Sequence, residues 1–160
     1  MTVCALSLGS NLGNRLGNLR RAMESLRAAG KVIAKSGAYE TPPWGVASQP
    51  RFLNACVAME TDRTPEDILS AAKEIERNLG REHRERWGPR EIDIDILTYG
   101  DISLDEENLT IPHFHMRERA FVLVPLEDIF PEWRHPVTKE SIHDLLEATG
   151  REGIIKITSL

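Results

Sequence analysis

Residues 91–97 read Glu-Ile-Asp-Ile-Asp-Ile-Leu, an alternation of acidic and apolar side chains. This alternation has the two-residue period of a β-strand, in which successive side chains point to opposite faces of a sheet. The isoleucines identify the face that packs on the core. Asp93 and Asp95 are therefore expected to project together from the opposite face of a strand over residues 91–99.

The segments around this strand predict an α+β fold. Residues 3–8 are almost all apolar, and residues 31–40 and 52–60 also have the character of strands. Apolar residues at helical spacing follow the first strand, and a Thr-Pro helix start follows the third. The order β-α-β-β-α-β predicts a ferredoxin-like antiparallel sheet in a single domain over residues 1–160. The helices are expected on one face of the sheet, which leaves the other face for ligands.

Composition and charge exclude several classes of protein. A chain of 160 residues with 41% apolar and 28% charged residues is typical of one globular domain. It has no apolar run near the roughly 18 residues of a membrane helix and no basic, signal-like start. Cys4 and Cys56 lie in apolar stretches, as expected for buried thiols in the cytoplasm. The net charge of −5 argues against a dedicated nucleic-acid binder.

The two carboxylates predict a site for a hard divalent cation. Two like charges this close repel each other, and Mg²⁺ held by carboxylate and phosphate oxygens relieves that repulsion. A solvated acidic edge strand is the alternative. Four arginines precede the pair within a short segment: Arg81, Arg84, Arg86 and Arg90. Guanidinium groups match the geometry of phosphate oxygens, so this cluster favours phosphoryl transfer over a loop of solvated ion pairs.

Five segments of the chain form a specific pattern. The most specific reads Trp-Gly-Pro-Arg-Glu-Ile-Asp-Ile-Asp over residues 87–95. The others are Gly-Ser-Asn-Leu at 9–12, Thr-Pro-Pro at 41–43, Phe-Leu-Asn-Ala at 52–55 and Ile-Pro-His-Phe at 111–114. In this order and spacing, the segments resemble the 6-hydroxymethyl-7,8-dihydropterin pyrophosphokinase family of folate biosynthesis.

The resemblance implies a reaction and a set of site residues. The hydroxymethyl oxygen of the pterin attacks the β-phosphorus of ATP, and AMP leaves. Asp93 and Asp95 are implied to hold two Mg²⁺ ions on the triphosphate. The implied phosphate-contacting residues are Arg81, Arg90 and, with His83 as the alternative, Arg84. The implied nucleotide-side residues are Glu76, Arg86, Ile96, Thr110, His113, Phe114 and Arg119. The implied pterin-side residues are Thr41, Pro43, Trp44, Phe52, Asn54 and Phe121.

The residues themselves are compatible with that reading. Alternation in the third strand puts Phe52 and Asn54 on one face, so one can stack on a flat ring while the other bonds to its edge. Plain core packing is the alternative for the two phenylalanines. A non-enzymatic, RNA-binding ferredoxin-like module is the alternative function, because aromatic residues on a sheet face can bind bases. The expected partners are the two small-molecule substrates, without nucleic acid or membrane.

Overall fold

The strands and helices follow the predicted order, with further elements after residue 99. A computed structural model of the protein describes residues 1–41, 50–80 and 90–160. The strands are β1 (Thr2–Ser10), β2 (Lys31–Lys35), β3 (Gly37–Thr41), β4 (Phe52–Thr61), β5 (Asp93–Tyr99), β6 (Leu104–Glu106), β7 (Leu109–Ile111) and β8 (Ile155–Ser159). The α-helices are α1 (Arg15–Leu26), α2 (Pro65–Asn78), α3 (Ala120–Ile129) and α4 (Ile142–Thr149). None of the helices in these ranges has the length and apolar character needed to cross a bilayer.

The main sheet is antiparallel and has the strand order β5-β1-β4-β3-β8, with β2 also pairing with β4. β1 is a central strand that pairs with β4 on one side and with β5 on the other. β6 and β7 form a separate two-stranded sheet. Strands and helices up to β5 follow the split βαβ pattern predicted from the sequence. The predicted fold class is therefore confirmed.

Ser36 divides the strand that was predicted over residues 31–40 into β2 and β3. Its N–H donates to the Cys56 carbonyl at 2.9 Å, while its hydroxyl accepts from the Cys56 N–H at 2.8 Å. A side-chain oxygen thus replaces a main-chain carbonyl as the acceptor, and the regular ladder is interrupted. The prediction of one continuous strand is wrong for this reason.

Helices pack on both faces of the sheet, so the prediction that they occupy a single face is wrong. α1 and α2 cover the face that carries Leu53 and Val57, whereas α3 and α4 cover part of the face that carries Cys56. Residues 122–126 of α3 are all buried, which gives that helix no apolar stripe of helical period for the sequence to show. The side chains of Asp93 and Asp95 remain 39% and 46% exposed on this face.

A carboxylate on α3 ties that helix to β3 of the sheet. The Tyr39 hydroxyl donates to Asp128 Oδ2 at 2.7 Å, and the Gly37 N–H donates to the same oxygen at 3.0 Å. Burial, together with the neighbouring Asp128 charge, raises the pKa of Tyr39 to about 12. The phenol therefore stays protonated and keeps donating at neutral pH. This contact fixes α3 beside β3.

Candidate active site

Strand register brings a carboxylate and an amide to the two sides of Gly9. Gly9 pairs with Asp93 of β5 and also with Asn54 of β4. Side chains of directly paired residues share a face, so the carboxylate and the amide project from the same surface. Neighbouring strands lie about 4.8 Å apart, which places the two Cα atoms about 10 Å from each other. That span is comparable with a bicyclic ring that carries a one-carbon substituent.

Asp95 extends this row of polar side chains along β5. It pairs with Ser7 of β1, while Ile94 and Ile96 are buried in the core on the opposite face. Two half-exposed carboxylates are hard oxygen donors and fit Mg²⁺, which takes further ligands from phosphate and water. Within the described residues no group of three or more His, Cys, Asp or Glu could hold a metal ion. A cation here would depend on the carboxylate pair and on oxygens of the substrate.

Arg90 brings a positive charge next to the carboxylate pair. The residue is only 4% exposed, and its Nε lies 3.9 Å from Asp93 Oδ1. Its position three residues before Asp93 explains why both groups meet at the start of β5. A guanidinium group beside two carboxylates can contact a polyanion that the carboxylates hold through a cation.

A cavity of about 340 Å³ lies beside β5, between α2 and the β6–β7 hairpin. Several residues that the sequence assigned to a nucleotide line it together with Asp95: Ile96, Thr110, His113 and Phe114. Leu69 and Lys73 of α2 also line it, and the sequence reasoning missed both. Their spacing of four residues places them on one helix face, which was the available signal.

His113 presents an N–H towards the carboxylate pair. The His115 N–H donates to His113 Nδ1 at 3.2 Å, so the neutral ring carries its hydrogen on Nε2. That Nε2 atom lies 3.9 Å from Asp95 Oδ1. Burial lowers the pKa of His113, although the Asp95 charge acts in the opposite direction. The imidazole is therefore a neutral hydrogen-bond donor at pH 7.

Glu76 supports β5 from the helix side of the sheet. Its Oε2 accepts from the Ile94 N–H at 2.8 Å, and Lys73 Nζ lies 3.5 Å from its Oε1. It is buried and is not among the residues that line the 340 Å³ cavity. The Glu76 carboxylate thus lies between α2 and β5, and its predicted contact with a nucleotide stays a prediction.

The predicted pterin-side residues of β3 and β4 meet at one corner of the sheet. Thr41 pairs with Phe52, and Asn54 Nδ2 donates to Thr41 Oγ1 at 2.6 Å. Thr41 and Phe121 line a cavity of about 530 Å³ together with Arg119. The Arg119 guanidinium carbon lies 5.6 Å from the centroid of the Phe121 ring. The corner therefore combines aromatic rings with an oriented amide, as a flat polar heterocycle requires.

Some predicted site residues lie outside the described residues. They are Pro43 and Trp44 on the pterin side, and Arg81, Arg84 and Arg86, with the alternative His83, on the phosphate side.

Comparisons with known proteins identify the family of the chain. A profile of the family "7,8-dihydro-6-hydroxymethylpterin-pyrophosphokinase" matches residues 5–131. The chain belongs to this family. The 2-amino-4-hydroxy-6-hydroxymethyldihydropteridine pyrophosphokinase of Methylorubrum extorquens is 43% identical over 159 residues, 98% of this chain and 99% of that protein. The enzyme of the same name from Pseudomonas aeruginosa is 40% identical over 95% of this chain and 94% of its own length.

Solved structures show the same fold for this member of the pyrophosphokinase family. The wild-type Plasmodium falciparum HPPK-DHPS with pteroate superposes with a TM-score of 0.78 at 18% identity. The match covers 98% of this chain and 48% of that chain, so the protein spans about half the length of its solved structural relative. Identity this low supports the fold alone.

Proposed function

We propose that the protein transfers a pyrophosphoryl group from ATP to the hydroxymethyl group of 6-hydroxymethyl-7,8-dihydropterin and releases AMP, a step of folate biosynthesis. The observation that carries the proposal is the row Asp93–Gly9–Asn54, which joins a carboxylate pair to an amide on one face of the sheet. Membership of the pyrophosphokinase family, whose members use ATP as co-substrate, supports it.

The phosphate side of the site binds and neutralises the triphosphate. Two Mg²⁺ ions held by Asp93 and Asp95 would supply positive charge that orients the phosphates and stabilises the transferred group. Arg90 adds a charge that does not titrate away, next to Asp93. In this proposal the His113 Nε2–H, which lies near Asp95, donates to a phosphate oxygen. These groups stabilise the negative charge that spreads over the phosphoryl oxygens during transfer.

The pterin side of the site fixes the acceptor. The ring stacks between Phe52 and Phe121, and the Asn54 amide bonds to its polar edge. Thr41 holds that amide in orientation through its hydroxyl. Because Gly9 has no side chain, the ring can lie close to the sheet with its hydroxymethyl group directed towards β5. The acceptor oxygen is then near the β-phosphorus.

Three further residues bind the nucleotide in this proposal. The base enters the cavity beside Ile96, and Thr110 and Phe114 contact the nucleoside. The alternative of an RNA-binding module finds no support, because the related proteins are pyrophosphokinases. We also propose that residues 1–160 act as one domain in the cytoplasm, where the buried free thiols of Cys4 and Cys56 stay reduced.

A direct assay tests the proposed function. The purified protein is incubated with Mg²⁺, ATP labelled at the β-phosphate and 6-hydroxymethyl-7,8-dihydropterin. We expect one AMP for each labelled pterin, and we expect excess EDTA to stop both products. A reaction that yields ADP would indicate phosphoryl rather than pyrophosphoryl transfer. Absence of both nucleotide products under these conditions would overturn the proposal.

Substitution of Gly9 is expected to weaken the binding of the pterin without weakening the binding of ATP. A Cβ atom at this position would lie 2.8 Å from Asn54 Oδ1 and 3.5 Å from Phe52 Cδ1. Gly9→Ala should therefore displace the amide and raise KM for the pterin about 10-fold, equivalent to about 1.4 kcal/mol. KM for ATP should stay within about 2-fold, because the three atoms nearest to that Cβ all belong to Phe52 and Asn54 of β4. Steady-state kinetics checks this, and equal increases in both KM values would contradict it.

A further inference from the structure

The Asn11 side chain bridges two segments that belong to different halves of the site. Its Nδ2 donates to the Pro50 carbonyl at 2.9 Å, and its Oδ1 accepts from the Arg90 N–H at 2.7 Å. Its own N–H also donates to the Arg90 carbonyl at 2.9 Å. Asn11 is 2% exposed, so water does not replace these bonds at low cost.

The position of Asn11 explains why one side chain reaches both segments. It follows β1, whose end pairs with the start of β4 through Ser10 and Leu53 and with the start of β5 through Gly9 and Asp93. Pro50 comes two residues before Phe52 of β4, and Arg90 comes three residues before Asp93 of β5. The amide thus lies between the pterin-side strand and the phosphate-side strand.

Two neighbouring side chains each anchor one of these segments. Asn18 Nδ2 donates to the Glu91 carbonyl at 3.1 Å and to the Leu12 carbonyl at 3.0 Å. Arg15 donates to the Arg51 carbonyl and to the Glu40 carboxylate, both at 3.0 Å. Asn18 therefore fixes the phosphate side and Arg15 the pterin side. Asn11 contacts both.

We propose that Asn11 is a positioning residue for the transfer step, and this inference rests on the proposed function. Asn11 sets the distance between two parts of the site. One part is Arg90 with the neighbouring carboxylates, and the other is β4, the strand that holds the pterin. In-line transfer requires the acceptor oxygen close to the phosphorus, and a misplacement of 1 Å can lower the rate about 10²-fold. Asn11 is 2% exposed and lines neither of the two cavities described above, so its effect is expected on the reacting geometry rather than on affinity.

A carboxamide is the group that can make both bonds, because it carries a donor and an acceptor on one carbon. Asn11→Asp keeps the acceptor for the Arg90 N–H but places a carboxylate against the Pro50 carbonyl. Asn11→Ala loses both bonds. Asn11→Asp therefore tests the loss of the bond to Pro50 alone, and Asn11→Ala tests the loss of the bonds to both Pro50 and Arg90.

The test compares the rate of a single turnover with substrate affinity. In rapid-quench experiments with Mg²⁺ and ATP, we expect Asn11→Ala to slow AMP formation about 10²-fold and Asn11→Asp about 10-fold. KM for the pterin and the Kd of Mg·ATP measured without pterin should each stay within about 3-fold of wild type. If Asn11→Ala does not fold, Asn11→Asp decides the question, because it keeps the acceptor for the Arg90 N–H.

Thr61→Val is the matched control. Thr61 is a buried residue at the opposite end of β4, where its hydroxyl donates to the Ala29 carbonyl at 2.8 Å and accepts from the Arg63 N–H at 3.0 Å. Its loss should lower the unfolding midpoint in urea without changing the single-turnover rate. If both Asn11 variants also lower the midpoint but keep a wild-type rate, Asn11 is purely structural and the inference is overturned. An inactive wild type would instead overturn the proposed function.

Discussion

Asp95→Ala is expected to abolish AMP formation while the fold stays intact. Asp95 is half-exposed on the sheet face and supplies one of the two carboxylates of the candidate cation site. Its removal takes away a ligand whose contribution to transition-state stabilisation is several kcal/mol, so turnover should fall on the order of 10³-fold or more. The release of AMP from ATP and 6-hydroxymethyl-7,8-dihydropterin measures this effect.

Two comparisons separate loss of the cation site from loss of the fold. Asp95→Asn keeps the shape of the side chain and removes its charge, so it should be nearly as inactive as the alanine variant. Asp101→Ala changes an exposed aspartate just beyond the other end of β5 and should keep turnover within about 2-fold. All three variants should unfold near the wild-type urea midpoint. Full turnover of Asp95→Ala with Mg²⁺ would contradict the assignment of Asp95 to the cation site.

The parts of the structure that the sequence predicted are those set by local periodicity. The alternation in residues 91–97 correctly assigned the two aspartates to one face of β5 and Ile94 and Ile96 to the other. The strand begins at Asp93 rather than at the predicted residue 91, and Ile92 precedes it but is buried in the same core. The Thr-Pro helix start is also correct, because Thr64 caps α2 by accepting from the Asp67 N–H at 3.2 Å. Such signals depend on neighbours within one or two turns of the chain.

The parts that the sequence did not predict depend on pairings between distant segments. β8 pairs with β3 across more than a hundred residues, and its pairing cannot be read from residues 155–159 alone. The roles that we propose for Gly9 and Asn11 depend on β4 and β5, the strands on either side of β1. Lys73 reaches the 340 Å³ cavity only because α2 packs beside β5. Motif resemblance supplied the candidate residues, and strand register explains why they meet.

Strand register also explains which strand supplies each group of the candidate site. β5 carries the carboxylates, β4 carries the aromatic ring and the amide, and β1 between them contributes small residues, Ser7 and Gly9. Larger side chains on β1 would fill the space in which acceptor and phosphate must meet. The surface between β4 and β5 is therefore the reaction site that we propose, because β1 between them carries small residues at Ser7 and Gly9.

Arg90→Ala is expected to lower kcat rather than to raise KM. The guanidinium lies beside Asp93, and in the proposed reaction negative charge increases there as the pyrophosphoryl group leaves AMP. An interaction that strengthens in the transition state is lost from kcat and kcat/KM together. We expect kcat to fall about 10²- to 10³-fold, as when one preorganised donor is removed from an active site, with KM for ATP within about 3-fold.

The control variants distinguish charge from geometry at this position. Arg90→Lys keeps the positive charge but loses the planar fork, so it should recover part of the activity and remain at least about 10-fold slower than wild type. Arg63→Ala removes an exposed guanidinium that donates to the Ala28 carbonyl at 3.0 Å, and kcat should stay within about 2-fold. If Arg90→Ala raised KM for ATP while kcat stayed at the wild-type value, the arginine would bind substrate and transition state equally. Its proposed role in the transfer step would then be wrong, whereas the binding of phosphate by this end of β5 would stand.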